Sequence, residues 1–255
     1  MAKAFEDLRN GVVLAELGGY GNGDFCVQYA GGAALVVMGT YIIDSAEKIH
    51  YPQEFVFRPG SENYQSYLNK HIKLAKQSGS KVAVSAIGSK VEDVVEFFVA
   101  AESAGADFVS LCAHSAMEMF TKRGLGYKLC MPENHENLKM WLREILSATS
   151  KPLMLKPGSV WHDYIVESVR IAAEAGTPII HANLGLAFEP QAIETIKQLS
   201  GIFDFVIAGG GITGAESAKA VLNAGAGAVS VAKAAMQDRN FIQQLSNELK
   251  SNPDS

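Results

Sequence analysis

Short apolar runs separated by glycine-marked helical stretches set the pattern of this chain. Runs of mostly apolar residues lie at about 12–16, 34–38, 82–86, 108–112, 153–156, 179–183, 205–208 and 228–231. Their length and apolar character suit strands buried on both faces, as in a parallel sheet. Between them apolar positions recur at helical spacing. Tyr64, Tyr67, Leu68, Ile72 and Ala75 share one face; Val91, Val94, Val95, Phe98 and Val99 share another, as do Tyr164, Ile165, Ser168, Val169 and Ala172. Gly79, Gly105, Gly176 and Gly225 each follow such a stretch and shortly precede a strand, where left-handed backbone closes a helix at no cost to glycine. Eight strands alternating with eight helical segments predict an α/β fold, a single (β/α)8 TIM barrel over residues 1–255, with its site at the C-terminal strand ends. Residues 44–60 contain Pro52 and Pro59 and show no clear period, which reads as an irregular excursion with the character of a lid. The tail from Lys250 to Ser255 is expected to fray.

Composition narrows the picture. A chain of 255 residues with 48% hydrophobic content fills one such barrel and would be cramped as two domains. A net charge of −5 leaves no general electrostatic footprint for nucleic acid. Cys26, Cys112 and Cys130 are far apart and odd in number, which argues against a disulfide framework and for a reducing compartment. The N-terminus lacks the apolar core of a signal peptide and no run approaches a membrane span, so a soluble cytoplasmic protein is expected. No His/Cys/Asp/Glu grouping has metal-ligand spacing, and no metal is assigned. His50, His71, His135 and His162 fall on expected loops or helices and read as surface residues.

The most informative stretch runs from Phe205 to Lys233. An apolar strand leads into Gly209, Gly210 and Gly211, where a Cβ would block a ligand. Thr213 and Glu216 have the spacing of a capping box, so a helix is expected to start beside the glycines with its free N–H groups facing the turn. The next strand ends at Lys233. A glycine turn and a cation at the same end of neighbouring strands form a phosphate site after the last two strands of a barrel. The plainer reading is a tight strand-to-helix connection.

Polar residues collect at the other strand ends: Glu16, Thr40, Ser85, Cys112, His114, Ser115, Lys156, His181 and Asn183. Lys156 follows Leu153-Met-Leu and precedes Pro157-Gly158, so it projects into the barrel mouth. There it either stabilises an enolate or a reduced-flavin anion, or pairs with a barrel carboxylate. His181 either contacts a cofactor or satisfies backbone groups. Ser115 would need a base such as His114 to move a proton, and Cys112 has the alternative of a small core residue.

With these motifs in view, the chain resembles the dihydrouridine synthases, and more closely a set of archaeal TIM-barrel proteins related to them, within the wider flavin barrels that include dihydroorotate dehydrogenases. The likeness spans nearly all 255 residues. Gly11-Val-Val-Leu-Ala-Glu-Leu-Gly-Gly-Tyr is similar to the family's opening segment, with Glu16-Leu17 where Pro-Met is usual. The resemblance implies FMN, with Ala15, Ser85, Lys156, His181, Asn183, Gly209, Gly210, Gly211, Ala232 and Lys233 as its contacts. Ser85 stands where a flavin-binding glutamine is common, and Lys233 where arginine is more frequent. The strand-four motif, Asn-x-Gly-Cys-Pro or Asn-x-His-Cys, is here Cys112-Ala-His114-Ser115, and Lys156 matches the lysine after strand five that lies against the flavin; the resemblance thus makes Ser115, His114, Lys156 and Cys112 the candidate catalytic residues. No helical tRNA-gripping domain is left room by the barrel, which with the acidic charge argues for a small-molecule substrate over tRNA. The implied activity is an FMN-dependent oxidoreduction of a C–C double bond. The alternatives are a flavin-free phosphate-binding lyase, isomerase or synthase, and a binding protein with altered catalysis. Pairing of copies through outer helices is a further expectation.

Overall fold

The computed structural model describes residues 5–158, 162–185 and 187–251. Nine parallel strands are present: β1 (Gly11–Leu14), β2 (Leu35–Ile43), β3 (Val56–Phe57), β4 (Lys81–Gly88), β5 (Phe108–Ala113), β6 (Leu153–Pro157), β7 (Ile179–Asn183), β8 (Phe205–Gly209) and β9 (Ala228–Val231). Eight of them follow one another around a ring in the order β1-β2-β4-β5-β6-β7-β8-β9, and β1 closes it by pairing with β9. The protein is a TIM barrel. The short β3 lies outside the ring, paired to the far end of β2.

The wall is covered by helices at Gln65–Ala75, Val91–Ser103, His135–Ala148, His162–Glu174, Pro190–Ser200 and Ala215–Asn223, joined by Phe241–Ser251 after the last strand. The expected glycine stops are real. Gly79, Gly105, Gly176 and Gly225 have φ of 79°, 96°, 96° and 106°, and each N–H returns to a carbonyl of the preceding turn. Side chains between strands and helices form the larger core, while a separate apolar layer fills the barrel itself: Val13, Leu35, Val37, Ala83, Phe108, Met154, Ile179, Phe205, Ile207 and Ala228. Phe5 and Leu8 plug its N-terminal end, with Phe5 5.3 Å from the Phe205 ring.

Three local expectations change. The 44–60 stretch is irregular over most of its length, as expected, but is anchored to the body: Phe55 and Ile49 are buried, Phe55 stacks on Tyr41, and Val56–Phe57 joins the sheet. His71 is buried, not on the surface; its Nδ1 accepts the Gly23 N–H at 3.2 Å and its ring stacks on Tyr67. The capping box does not form. The helix begins at Ala215 with Gly214 as its cap, and Thr213 donates its N–H to the Ser217 hydroxyl instead. The side chains of His162 and Tyr164, and residues 252–255 of the tail, lie outside the described residues.

Candidate functional site

Strand alternation builds the site. Successive residues of a strand face opposite sides, so the side chain two positions beyond each apolar barrel-filling residue points the same way, one step nearer the C-terminal rim. Ala83 is followed by Ser85, Phe108 by Ser110 and then Cys112, Met154 by Lys156, Ile179 by His181 and Asn183, Ala228 by Ser230. The interior therefore changes from apolar to polar within one layer. Ser85, Ser110, Lys156, His181 and Ser230 are all buried.

Above this layer opens a cavity of about 780 Å³, within the range that encloses a cofactor or drug-sized ligand. Its inner wall carries Ala15, Glu16, Cys112, His114, Ser115, Lys156, His181 and Asn183. Beside them, at the ends of β8 and β9, lie Gly209, Gly210, Gly211, Ile212, Thr213, Ala232 and Lys233, with Gly209 paired in register to Asn183. Every expected site residue except Ser85 thus meets in one space. Ser85 is fully buried beneath it, its hydroxyl 3.3 Å from that of Thr40, which does line the cavity.

Lys156 is paired. Its Nζ lies 2.9 Å from Glu16 Oε2, and both side chains are buried. Of the two expectations for this lysine, the barrel carboxylate is the one observed. Burial works against ionisation of Glu16, yet the Lys156 ammonium, together with His181 and a backbone hydrogen bond, holds the carboxyl below its ordinary value. His181 lies 3.7 Å from the same oxygen through Nδ1, and its Nε2 is 3.0 Å from Ser230 Oγ. Burial first, and then the Lys156 charge, push the imidazole down to about 3, so it is neutral at pH 7. The cluster is one ammonium, one carboxylate and one neutral ring.

On β5, beside Lys156, burial and the nearby Glu16 carboxylate push the Cys112 thiol up, leaving it protonated. Burial, followed by Lys156, lowers His114, which is therefore a neutral imidazole. Ser115 is fixed in a turn: its hydroxyl accepts the Met117 N–H at 3.2 Å and its carbonyl accepts that of Tyr127 at 3.0 Å. No hydrogen bond connects it to His114 among the described residues. Tyr51, not singled out in the sequence, also lines the cavity; its hydroxyl donates to the Thr40 carbonyl at 3.2 Å, and burial raises the phenol to about 12. A single tyrosine within an aperiodic stretch carries no signal of this role.

The glycine turn is shaped by its neighbours. Gly210 and Gly211 have φ of 113° and 65°, a region that favours glycine. A Cβ on Gly210 would meet the Gly185 backbone nitrogen at 2.9 Å, so chain packing also requires its small size, while the residue lines the cavity. A Cβ on Gly209 would collide with Ser230. The helix Ala215–Asn223 starts four residues beyond Gly211, and Lys233 opens the short helix Lys233–Gln237 on the far side. Among the described residues no group of three or more His, Cys, Asp or Glu side chains is placed to hold a metal ion, and no helix is long and apolar enough to cross a membrane.

Comparison with known proteins follows this geometry. A family model described as histidine biosynthesis protein matches residues 162–253, which hold β7, β8, β9 and the glycine turn. An uncharacterized protein of Methanocaldococcus jannaschii is 29% identical over 164 residues, 61% of this chain and 62% of its own. The chain thus spans about 62% of the curated relative it matches. Among solved structures, DHODH of Eimeria tenella in complex with ferulenol superposes with a TM-score of 0.70 at 15% identity, covering 99% of this chain and 88% of that one. A FabK mutant of Thermotoga maritima gives 0.57 at 14% identity, covering 92% and 65%. At such identities the likeness shows the barrel fold alone.

Proposed function

We propose that this barrel binds FMN and acts as a flavin-dependent oxidoreductase on a C–C double bond of a small molecule. The observation that carries the proposal is the continuity of one cavity. It runs from a glycine turn flanked by a helix N-terminus and Lys233 to a buried ammonium at Lys156, which matches an elongated ligand with phosphate at one end and a polar ring at the other. The residues fit the group: the turn leaves backbone rather than side chains at the phosphate end, and the cavity is large enough for the ring.

FMN, when bound, supplies or accepts the hydride. The protein's own part is position, charge and protons. Gly209, Gly210, Gly211, Ala232 and Lys233 would hold the phosphate, and Ala15, Lys156, His181 and Asn183 would meet the ring. Ser85 would act only from beneath, through Thr40. Proton exchange with substrate falls to Ser115, Cys112 and His114, at the end of the strand beside Lys156. A protonated Cys112 thiol is suited to donate, and a neutral His114 to accept. As an ammonium held in this ion pair, Lys156 lacks the free lone pair that imine formation needs.

The match to a histidine biosynthesis protein model over the phosphate half favours a second reading, in which a phosphorylated metabolite occupies the same cavity without flavin. One preparation separates the two. Purified protein reconstituted with FMN should become yellow and retain stoichiometric flavin through gel filtration. A colourless protein that takes up no FMN overturns the flavin reading. Borohydride trapping with carbonyl substrates should give no adduct at Lys156.

A further inference from the structure

Glu16 is the feature that the proposed function does not use. Its carboxylate oxygens have essentially no surface open to solvent, and although the residue lines the cavity, its charge lies against the Lys156 ammonium. Its second oxygen has no hydrogen-bond partner, and the nearest other polar ring, His181, is neutral. The buried negative charge is therefore met chiefly by the Lys156 ammonium, with the neutral His181 ring 3.7 Å away. A carboxylate at 2.9 Å in a low-dielectric setting cancels most of the field of the ammonium at the distance of a ligand.

Resting on the flavin reading, we propose that Glu16 is a positioning residue that fixes Lys156 as a hydrogen-bond donor while cancelling its charge, so that the site does not favour a negatively charged ring. Lys156 then orients the ring without pulling electrons into it. The cavity's uncompensated cation is left at the other end, where Lys233 lines the phosphate wall; no ion pair joins Lys233 to a carboxylate among the described residues. This division gives binding through phosphate and a ring held near its electrically neutral form.

Sulfite reads that field directly. It adds to an oxidised flavin ring through its sulfur lone pair, the ring takes the electron pair as negative charge, and the visible absorption bleaches. FMN-loaded wild type should bind sulfite weakly. Glu16→Gln keeps the side-chain shape and removes the charge, so sulfite should bind about tenfold tighter or more, and the midpoint potential of bound FMN should rise. Glu16→Asp keeps the charge but draws it back from Lys156, and should tighten sulfite binding by a smaller factor; this keeps the test open if Glu16→Gln does not fold. FMN affinity itself should change little in either variant. Unchanged or weaker sulfite binding in both variants, with FMN bound normally, overturns the role of Glu16 and leaves the flavin reading standing. Failure of wild type to bind FMN overturns both.

Discussion

The Ser230 side chain fills the space that a Cβ on Gly209 would need, and its hydroxyl is then 3.0 Å from His181 Nε2. Two neighbouring strands are thus keyed together at the site: β8 supplies the gap and β9 the side chain that ties β7 to it. Gly209→Ala should push Ser230 off His181 and strain the Ser230 carbonyl, which would lie 2.7 Å from the new atom. The expected cost is about 1–3 kcal/mol, as for other overpacked cores. Urea denaturation of Gly209→Ala and of Gly209→Ala with Ser230→Gly checks it, since the second variant should recover part of the loss.

Stability should depend on pH through His181. Its folded value of about 3 lies below the ordinary histidine value of 6.5. Between these two values the unfolded chain takes up a proton that the folded one refuses. The stabilisation is therefore complete above pH 6.5 and is lost as pH falls toward 3, at up to about 1.4 kcal/mol per pH unit. Glu16, held below its ordinary value, adds loss in the same direction at the acid end of that window. His181→Asn should flatten the slope between pH 6.5 and 4.5. An unchanged slope by denaturant titration across that range would show that His181 is not the responsible group.

The Glu16–Lys156 pair should behave as a coupled unit. Lys156→Met leaves a buried carboxylate unpaired and should cost about 3–5 kcal/mol, whereas Lys156→Met combined with Glu16→Gln should recover much of it. Additive losses in a double-mutant cycle would mean the two side chains do not interact.

The barrel was legible because its signals are local. Each strand is a short apolar run, and each αL glycine marks where a helix must stop, so Gly79, Gly105, Gly176 and Gly225 delimit the repeats in sequence and structure alike. The positions of Lys156 and His181 just after the apolar runs Leu153–Leu155 and Ile179–Ile180 likewise put both at the mouth, where they line the cavity. The pairing of Lys156 with Glu16 was not legible. The two lie on β6 and just after β1, on different sides of the ring, and only closure of the barrel brings them together. His71 carried a signal that was passed over: it falls on the same helical stripe as Tyr64, Leu68, Ile72 and Ala75, and its burial follows from that spacing. Thr213 and Glu216 show the converse, a local motif with correct spacing that lost to Ser217 once the glycine turn fixed the chain's entry into the helix.

The central claim is that one end of the cavity reads a phosphate while the other holds a ring. Lys233→Ala tests it, because Lys233 lines the glycine end and its removal leaves the core untouched. Titrations of FMN and of riboflavin, which has the ring and no phosphate, into wild type and Lys233→Ala should show FMN weakened about ten- to a hundred-fold, the worth of one charge-assisted hydrogen bond. Riboflavin should bind both proteins equally. Equal weakening of both ligands, or of neither, would contradict a phosphate site at Gly209–Gly211 and Lys233.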